Sequence, residues 1–452
     1  MNELLSRYFC YPTWEFFSSR NVFRFYGALK ELEKSQWLSR NQLIELKNKK
    51  LRKLIEHSYT NVPYYHNLFK NLKLKPNDIK EEKDLHKIPV LTKDIIRKNL
   101  KNLMASNYTA AIYWLDHTGG STGKVLDFYR DRTTHEFTLA VNRRFGRWAG
   151  YGIGTKMFRI WGSPYDISLY DNFRTKMHNY LINDVLVNSF DMSISDMQNY
   201  AGKFKKFNPK IVHGYANSVY LFAKYLQENK IDFKKPKAVI TTSEKLYPFQ
   251  RKLIEETFDC KLFEEYGCRE MELIAHECEA HDGLHLASEK FIFEVLDNKN
   301  NTIQNKNGYV VLTDLNNFAM PFIRYKNEDV GSKLNENCSC GRSLEKLGFI
   351  EGRSTDFIIG EKGKIVSGVA ITTYMARISG IEEFRIVQDK RDKIEVYVVK
   401  SEEYNSTTHD NIINFLKKYI GDIGINIKYV SNIPLTASGK RRTIINKLKI
   451  NF

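Results

Sequence analysis

The chain has 452 residues, too many for one small core, so at least two domains are expected. Its 42% hydrophobic and 27% charged residues form an ordinary globular balance, six cysteines are too few for a disulfide framework, and no run of 18 apolar residues offers a transmembrane helix. The formal net charge of +17 suits an anionic partner (a nucleotide, a nucleic acid or an anionic membrane surface) or a plain basic surface, since the lysines run along the whole chain.

Met1 to Arg20 lacks a basic start followed by an apolar stretch, so no secretory signal is read and a cytoplasmic protein is expected, peripheral contact with the inner face of the membrane being the option left open. Tyr8, Phe9, Tyr11, Trp14, Phe16 and Phe17 form an aromatic cluster that packs on the domain or touches such an interface. From Arg40 to Tyr59, Leu43, Leu46, Leu51, Leu54 and Ile55 recur at helical spacing, and Pro63 follows the end. The middle alternates short β-rich runs with helical stretches: Pro209 to Val212, Val219 to Gln227, Lys237 to Thr242, Pro248 to Phe258. That alternation predicts a sheet with crossover helices. Gly308 to Thr313 reads as a strand.

The tail reads as a separate small domain. Glu383 to Gln388, Lys393 to Val399 and Asn426 to Val430 are predicted strands. Thr408 to Ile420 is a predicted amphipathic helix with Ile412, Ile413, Leu416, Tyr419 and Ile420 on one face. The expected class is therefore α/β: a large N-terminal domain over residues 1–352, helical over about 1–90, with crossover helices on β-sheets, and a small mobile α+β C-terminal domain over 353–452.

Five segments carry chemistry. Thr118-Gly119-Gly120-Ser121-Thr122-Gly123-Lys124 is a phosphate cradle, because glycine lets backbone N–H groups approach an anion while Ser, Thr and Lys add donors and charge. It is not a Walker A loop, which needs Gly at Thr118 and Ser or Thr at Val125. In Glu265-Tyr266-Gly267-Cys268-Arg269-Glu270 a ring can stack on a base and a carboxylate can hold magnesium beside phosphates; by itself the segment is a strand-to-helix turn. Arg324 to Gly331 ends on an acidic turn, with Asp329 able to accept from ribose hydroxyls. Gly352-Arg353-Ser354-Thr355-Asp356 lies at the domain boundary, and Pro434-Leu435-Thr436-Ala437-Ser438-Gly439-Lys440 is a tight turn presenting one lysine.

Together and in this order, with Asn61-Val62-Pro63-Tyr64-Tyr65 and Val212-His213-Gly214-Tyr215, these segments resemble the adenylate-forming superfamily. Within it the chain is most similar to the phenylacetate–CoA ligase group, and there to the CapK-like branch of capsule and polysaccharide clusters. The resemblance implies an AMP-forming ligase using ATP and Mg2+. It assigns Thr118 to Lys124 to the β- and γ-phosphates, Tyr266 with its neighbours Glu265 and Gly267 to adenine, Glu270 to magnesium, Asp329 to ribose, Arg353 to the nucleotide, and Lys440 to the acyl carboxylate and α-phosphate. Magnesium and the Lys440 ammonium would offset the repulsion between a carboxylate and a polyanion. The family's hinge carries an acidic pair where this chain has Thr355 and Asp356, which puts the pivot in doubt. Trp161, Gly162 and Tyr215 are the acyl-pocket candidates, with core packing as the alternative for both aromatics.

Cys278, His285, Cys338 and Cys340 offer three thiols and an imidazole, a donor set for a closed tetrahedral Zn2+ site; reduced cysteines without metal are the alternative. Relatives in the group carry a similar Glu-Cys, Gly-x-His and Cys-x-Cys-Gly-Arg arrangement. The implied reaction activates a carboxylic acid as an acyl-adenylate. The acceptor is then an amine or glycan in polysaccharide assembly, or CoA as in the phenylacetate–CoA ligases. A basic zinc-containing nucleic-acid-binding protein would fit the charge and cysteines but leaves Lys440, Asp329 and Tyr266 unexplained, so no nucleic acid is expected.

Overall fold

The computed structural model describes residue 3 and residues 22–109, 113–118, 126–161, 173–189, 192, 194–353, 357–363, 365–367, 371–372, 375, 378–434 and 442–448. The aromatic cluster from Tyr8 to Phe17, Gly119 to Lys124, Gly162, the hinge positions Thr355 and Asp356, and Lys440 lie outside the described residues.

The chain opens on helices α1 (Val22–Ser35), α2 (Arg40–Asn61), α3 (Pro63–Asn71) and α4 (Lys93–Asn99). Ser39 starts α2: its hydroxyl accepts from the Gln42 backbone N–H at 3.3 Å while the Gln42 side chain accepts from the Ser39 N–H at 2.9 Å. Leu43, Leu51, Leu54 and Ile55 then fall on one buried face. Pro63 ends α2 and opens α3, where a missing N–H costs nothing. Lys47 lies on the same buried face because Glu82 and Glu345 each meet its ammonium at 2.7 Å.

A hairpin follows, β1 (Tyr113–His117) antiparallel to β2 (Asp127–Asp131), and leads into α5 (Arg132–Trp148), capped by the Asp131 side chain on the Thr134 N–H at 2.7 Å. Next come β3 (Met157–Trp161), α6 (Phe173–Leu181), β4 (Asp184–Asn188), α7 (Ile194–Phe207), β5 (Ile211–Tyr215), α8 (Ala216–Glu228), β6 (Ala238–Thr242), α9 (Pro248–Phe258) and β7 (Lys261–Cys268). The remaining strands of this part are β8 (Glu272–Glu277), β9 (Leu284–Leu286), β10 (Phe291–Leu296), β11 (Gly308–Asp314), β12 (Tyr325–Leu334) and β13 (Lys346–Arg353). They form one eleven-stranded sheet in the order β10-β11-β12-β13-β9-β8-β7-β6-β5-β3-β4. From β4 to β7 all pairings are parallel; from β7 to β10 all are antiparallel. The crossover helices bury Phe204, Phe222, Ile254 and Phe258 on the parallel half, where β-branched and aromatic strand residues face them.

The segment from Glu265 to Glu270 corrects one expectation. It is a strand-to-strand turn, since β7 folds straight back into β8 rather than into a helix. A Cβ on Gly267 would run into the Glu272 carbonyl, so only glycine permits that close return.

The C-terminal part pairs β14 (Phe357–Ile359) with β15 (Ile365–Ser367) and builds a four-stranded sheet, β18-β17-β16-β19, from β16 (Ile381–Lys390), β17 (Lys393–Lys400), β18 (Gly424–Tyr429) and β19 (Ile444–Asn446). Helix α10 (Ser406–Ile420) covers it with Ile412, Phe415, Leu416 and Ile420. Tyr419, expected on that face, is 38% exposed: its ring rests on Phe415, with centroids 4.6 Å apart, and its hydroxyl stays wet. Among the described residues, no helix is long and apolar enough to cross a membrane.

Candidate active site

The strand order reverses between β3 and β5, and the carboxyl ends of strands at such a reversal are where open α/β sheets bind ligands. A cavity of about 520 Å3 opens there. Trp161 ends β3, Tyr215 ends β5, Thr242 ends β6, and Glu265 and Gly267 come from β7; all five line it. The Trp161 and Tyr215 rings lie 4.7 Å apart, centroid to centroid, so both acyl-pocket candidates form one aromatic wall.

Beside the cavity stands a second group of side chains. The Tyr266 hydroxyl donates to Asp329 Oδ2 at 2.7 Å, and the Asn327 amide donates to the same oxygen and to the Tyr266 oxygen, both at 2.8 Å. This triangle fixes the ring of Tyr266 and the carboxylate of Asp329 relative to one another. Glu270, 9% exposed, accepts from the buried Tyr325 hydroxyl at 2.6 Å. Asp329 on β12 is in register with Arg353 on β13. A carboxylate aimed by a buried tyrosine suits a magnesium ligand, because an oriented donor set is what that ion requires.

The cavity is rich in ionic groups. Arg130 pairs with Glu272 and, at 3.1 Å, with Asp116; Arg269 reaches Asp116 at 3.4 Å. Arg159 pairs with Asp184 at 2.7 Å, and His213 Nε2 meets Glu265 at 3.2 Å. Burial pushes the Glu265 carboxyl up, but the His213, His276 and Arg159 charges outweigh it, leaving it below the usual carboxylate range. Glu272 stays ionised for the same kind of reason: Arg130 and His135 outweigh its burial. Its backbone is left-handed, with φ +59, a strained state for a glutamate that the turn into β8 imposes.

Apart from the cavity, β8, β9 and the segment before β13 bring Cys278, His285, Cys338 and Cys340 together, with all four ligand atoms within 4.8 Å of one another. Cys278 Sγ and Cys338 Sγ are 3.6 Å apart, and Cys340 Sγ is 3.2 Å from His285 Nε2. A tetrahedral ion with Zn–S bonds of about 2.3 Å needs sulfurs roughly 3.8 Å apart, so the residues fit zinc. His285 Nδ1 lies 3.2 Å from the Leu344 carbonyl, which favours the tautomer that leaves Nε2 for a metal. Burial, then the Cys338 and Cys340 thiols, pushes the Cys278 thiol up to about 12 against the Ala280 backbone hydrogen bond. Burial with the Arg342, Lys346 and Arg144 charges pushes His285 down to about 4. Burial also raises Cys340, but hydrogen bonds from Arg342 outweigh it and leave that thiol below its ordinary value, so it is Cys278 that would need a cation to become a thiolate.

Three comparisons bear on these features. Residues 358–447 match the family model described as the CapK C-terminal domain. Over its length the chain is 25% identical to protein CapK of Staphylococcus aureus, covering 96% of this chain and 95% of CapK. It is 24% identical to the phenylacetate–coenzyme A ligase of Thermus thermophilus, covering 71% of this chain and 73% of that ligase. The fold matches 2-hydroxyisobutyryl-CoA ligase, solved in the postadenylation state in complex with R3-HIB-AMP, with a TM-score of 0.74 at 17% identity and 91% of each chain covered. The chain is thus similar in sequence to CapK and to a phenylacetate–coenzyme A ligase, and it shares the fold of 2-hydroxyisobutyryl-CoA ligase.

In this fold the described candidates fall into two places. Trp161, Tyr215, Glu265 and Gly267 share the cavity, with Tyr266, Glu270 and Asp329 on its β7 and β12 side, whereas Cys278, His285, Cys338 and Cys340 are gathered apart. Thr118 sits at the neck of the glycine-rich segment: its N–H donates to the Leu126 carbonyl and its hydroxyl accepts from the Leu126 N–H, both at 3.0 Å. Several cavity groups are absent from the sequence reading's site. His117 directly precedes Thr118, Arg269 lies inside the Glu265 to Glu270 motif, and Arg159 and His213 each stand two residues before a pocket candidate, Trp161 and Tyr215. Their signal was adjacency to motifs. Arg130 and Glu272 had no such signal, being joined only by the return of β8 onto β7.

Proposed function

We propose that the protein uses ATP and Mg2+ to activate a carboxylic acid as an acyl-adenylate and passes the acyl group to an acceptor, an amine in surface polysaccharide assembly. The observation that carries the first half is the pairing of Tyr266 with Asp329 and of Tyr325 with Glu270 beside the Trp161–Tyr215 wall. In this reading Tyr266 stacks on adenine, with Glu265 and Gly267 shaping the pocket; Asp329 accepts from ribose and Arg353 holds the nucleotide. Glu270 holds magnesium, which when bound supplies charge stabilisation at the phosphates. Gly119 to Lys124, pinned at Thr118, closes on the phosphates, and Lys440 bridges the acyl carboxylate and α-phosphate. Zn2+ on Cys278, His285, Cys338 and Cys340 is structural, because four protein ligands leave no open position.

The acceptor rests on full-length likeness to CapK rather than on geometry. The second reading keeps CoA as acceptor, supported by the phenylacetate–coenzyme A ligase relative. Pyrophosphate release with a panel of carboxylic acids, with hydroxylamine trapping of the acyl-adenylate, tests the first half. Release that needs no acid would overturn it. Incubation with ATP, the best acid and either CoA or candidate amines tests the second: fast thioester with no amide from any amine favours CoA.

A further inference from the structure

The wall of the cavity carries charge that an apolar acid has no use for. Arg130 and Arg269 are tied to Asp116 and Glu272 next to the neck of the glycine-rich hairpin, where phosphates would lie. A second basic group stands apart from them, on α5, β3 and β5. The Arg143 guanidinium lies over the Tyr151 ring, 4.7 Å from its centroid. Arg159 lines the cavity with one edge on Asp184, and His213 lines it against Glu265. Trp161 joins this group to the aromatic wall, its ring 5.4 Å from His213 and 4.7 Å from Tyr215.

Resting on the ligase reading, we infer that the acid this enzyme activates is polar and carries a second anionic group, received by Arg143 and Arg159. A guanidinium carries its N–H donors in one plane, the arrangement that grips a carboxylate or phosphate side-on. Seating a phenyl or alkyl group here would bury these charged side chains further against carbon, which penalises apolar acids. The reacting carboxylate does not account for these arginines, since in the ligase reading Lys440 meets it. The aromatic wall gives the carbon frame of a small acid a face to lie on, and Thr242 and Ser243 line the same cavity with hydroxyls.

Calorimetric titration of the AMP-saturated enzyme tests the inference without needing turnover. The probes are malonate, succinate, malate and tartrate, the monoamide of each, and phenylacetate. At least one dicarboxylate is expected to bind about tenfold or more tighter than its monoamide and than phenylacetate. Arg143→Gln, checked by melting temperature for a retained fold, is expected to bring that ratio close to one, and Arg143→Lys to restore part of it. Tighter or equal binding of phenylacetate, no dicarboxylate binding at millimolar concentrations, or a preference untouched by Arg143→Gln overturns the inference. Pyrophosphate release driven by phenylacetate and not by dicarboxylates overturns it while leaving the ligase reading in place. Dicarboxylate binding of the stated kind, with no pyrophosphate release from any acid, does the reverse.

Discussion

Arg130, Arg159, His213 and Glu265 in the cavity have side chains 8, 22, 16 and 13% exposed, whereas Cys278 and His285 in the metal-fitting cluster have no exposure at all. The cavity groups pair sideways along the wall, each charge meeting a neighbour on another strand. The cluster groups aim inward at one point, and Trp148 packs over His285 with ring centroids 5.5 Å apart. A laterally paired, half-open network can exchange a partner for a ligand at small cost. A convergent set with Cys278, His285 and Cys338 buried exchanges partners less readily, which suits an ion that stays. In the proposed reading the difference separates residues that serve chemistry from residues that serve stability, although Glu265 on β7 and His285 on β9 belong to one sheet.

The largest expected effect breaks the chemistry alone. Lys440→Ala is expected to lower acid-dependent pyrophosphate release by about 10²-fold or more, with calorimetric ATP binding retained. An Ala variant with near-normal release would remove Lys440 from the reaction. The mirror experiment attacks the cluster: purified enzyme is expected to hold about one zinc per chain, and Cys338→Ser to lose it and melt roughly 5–15 °C lower. Adenylation measured well below the melting temperature should persist. Zinc-free protein of unchanged stability, made with zinc available, would contradict the assignment.

Two smaller effects sharpen the contrast. Tyr325→Phe leaves Glu270 without its 2.6 Å donor. The magnesium concentration for half-maximal ATP binding is expected to rise by about tenfold, read by calorimetry, with little change in ATP binding once magnesium saturates. An unchanged magnesium requirement would make Tyr325 a packing residue only. Glu264, adjacent to the cavity residue Glu265, is pushed up to about 7 by burial and then by the nearby Glu277 carboxylate, against the pull of Arg251. Its folded form therefore binds a proton more tightly than the unfolded chain does. The stability this group contributes is complete below the ordinary carboxyl range and is lost as pH rises towards about 7. Glu264→Gln should remove that loss, so its melting temperature relative to the parent should climb between acid pH and pH above 7. A pH-independent difference would show that the carboxyl titrates normally.

Legibility in the sequence followed the range of the interactions. Periodicity located α9 at Pro248–Phe258 residue for residue, and it found α2, α8 and α10 within a few residues, because these helices are fixed by local apolar spacing and capping. The strand read at Pro209 to Val212 runs instead from Ile211 to Tyr215, since its pairing with β3 and β6, not its composition, sets its ends. The four cysteine and histidine candidates could be gathered from sequence because the chemistry is carried by rare residue types. Arginines and glutamates are common, and what makes Arg130 and Glu272 a pair, or Tyr325 a partner of Glu270, is sheet register, which no local pattern records.

The aromatic packing has a practical consequence. Trp148, 9% exposed, sits 5.5 Å from His285, and Trp161 sits 4.7 Å from Tyr215 in the cavity, whereas Trp37 and Trp114 are 55 and 39% exposed. Indole emission responds to a neighbouring imidazole's protonation and to the polarity around the ring. The enzyme thus carries two native optical reporters. Trp148 is placed to register a metal entering or leaving the cluster, and Trp161 to register a molecule settling against the wall, without any label attached to either.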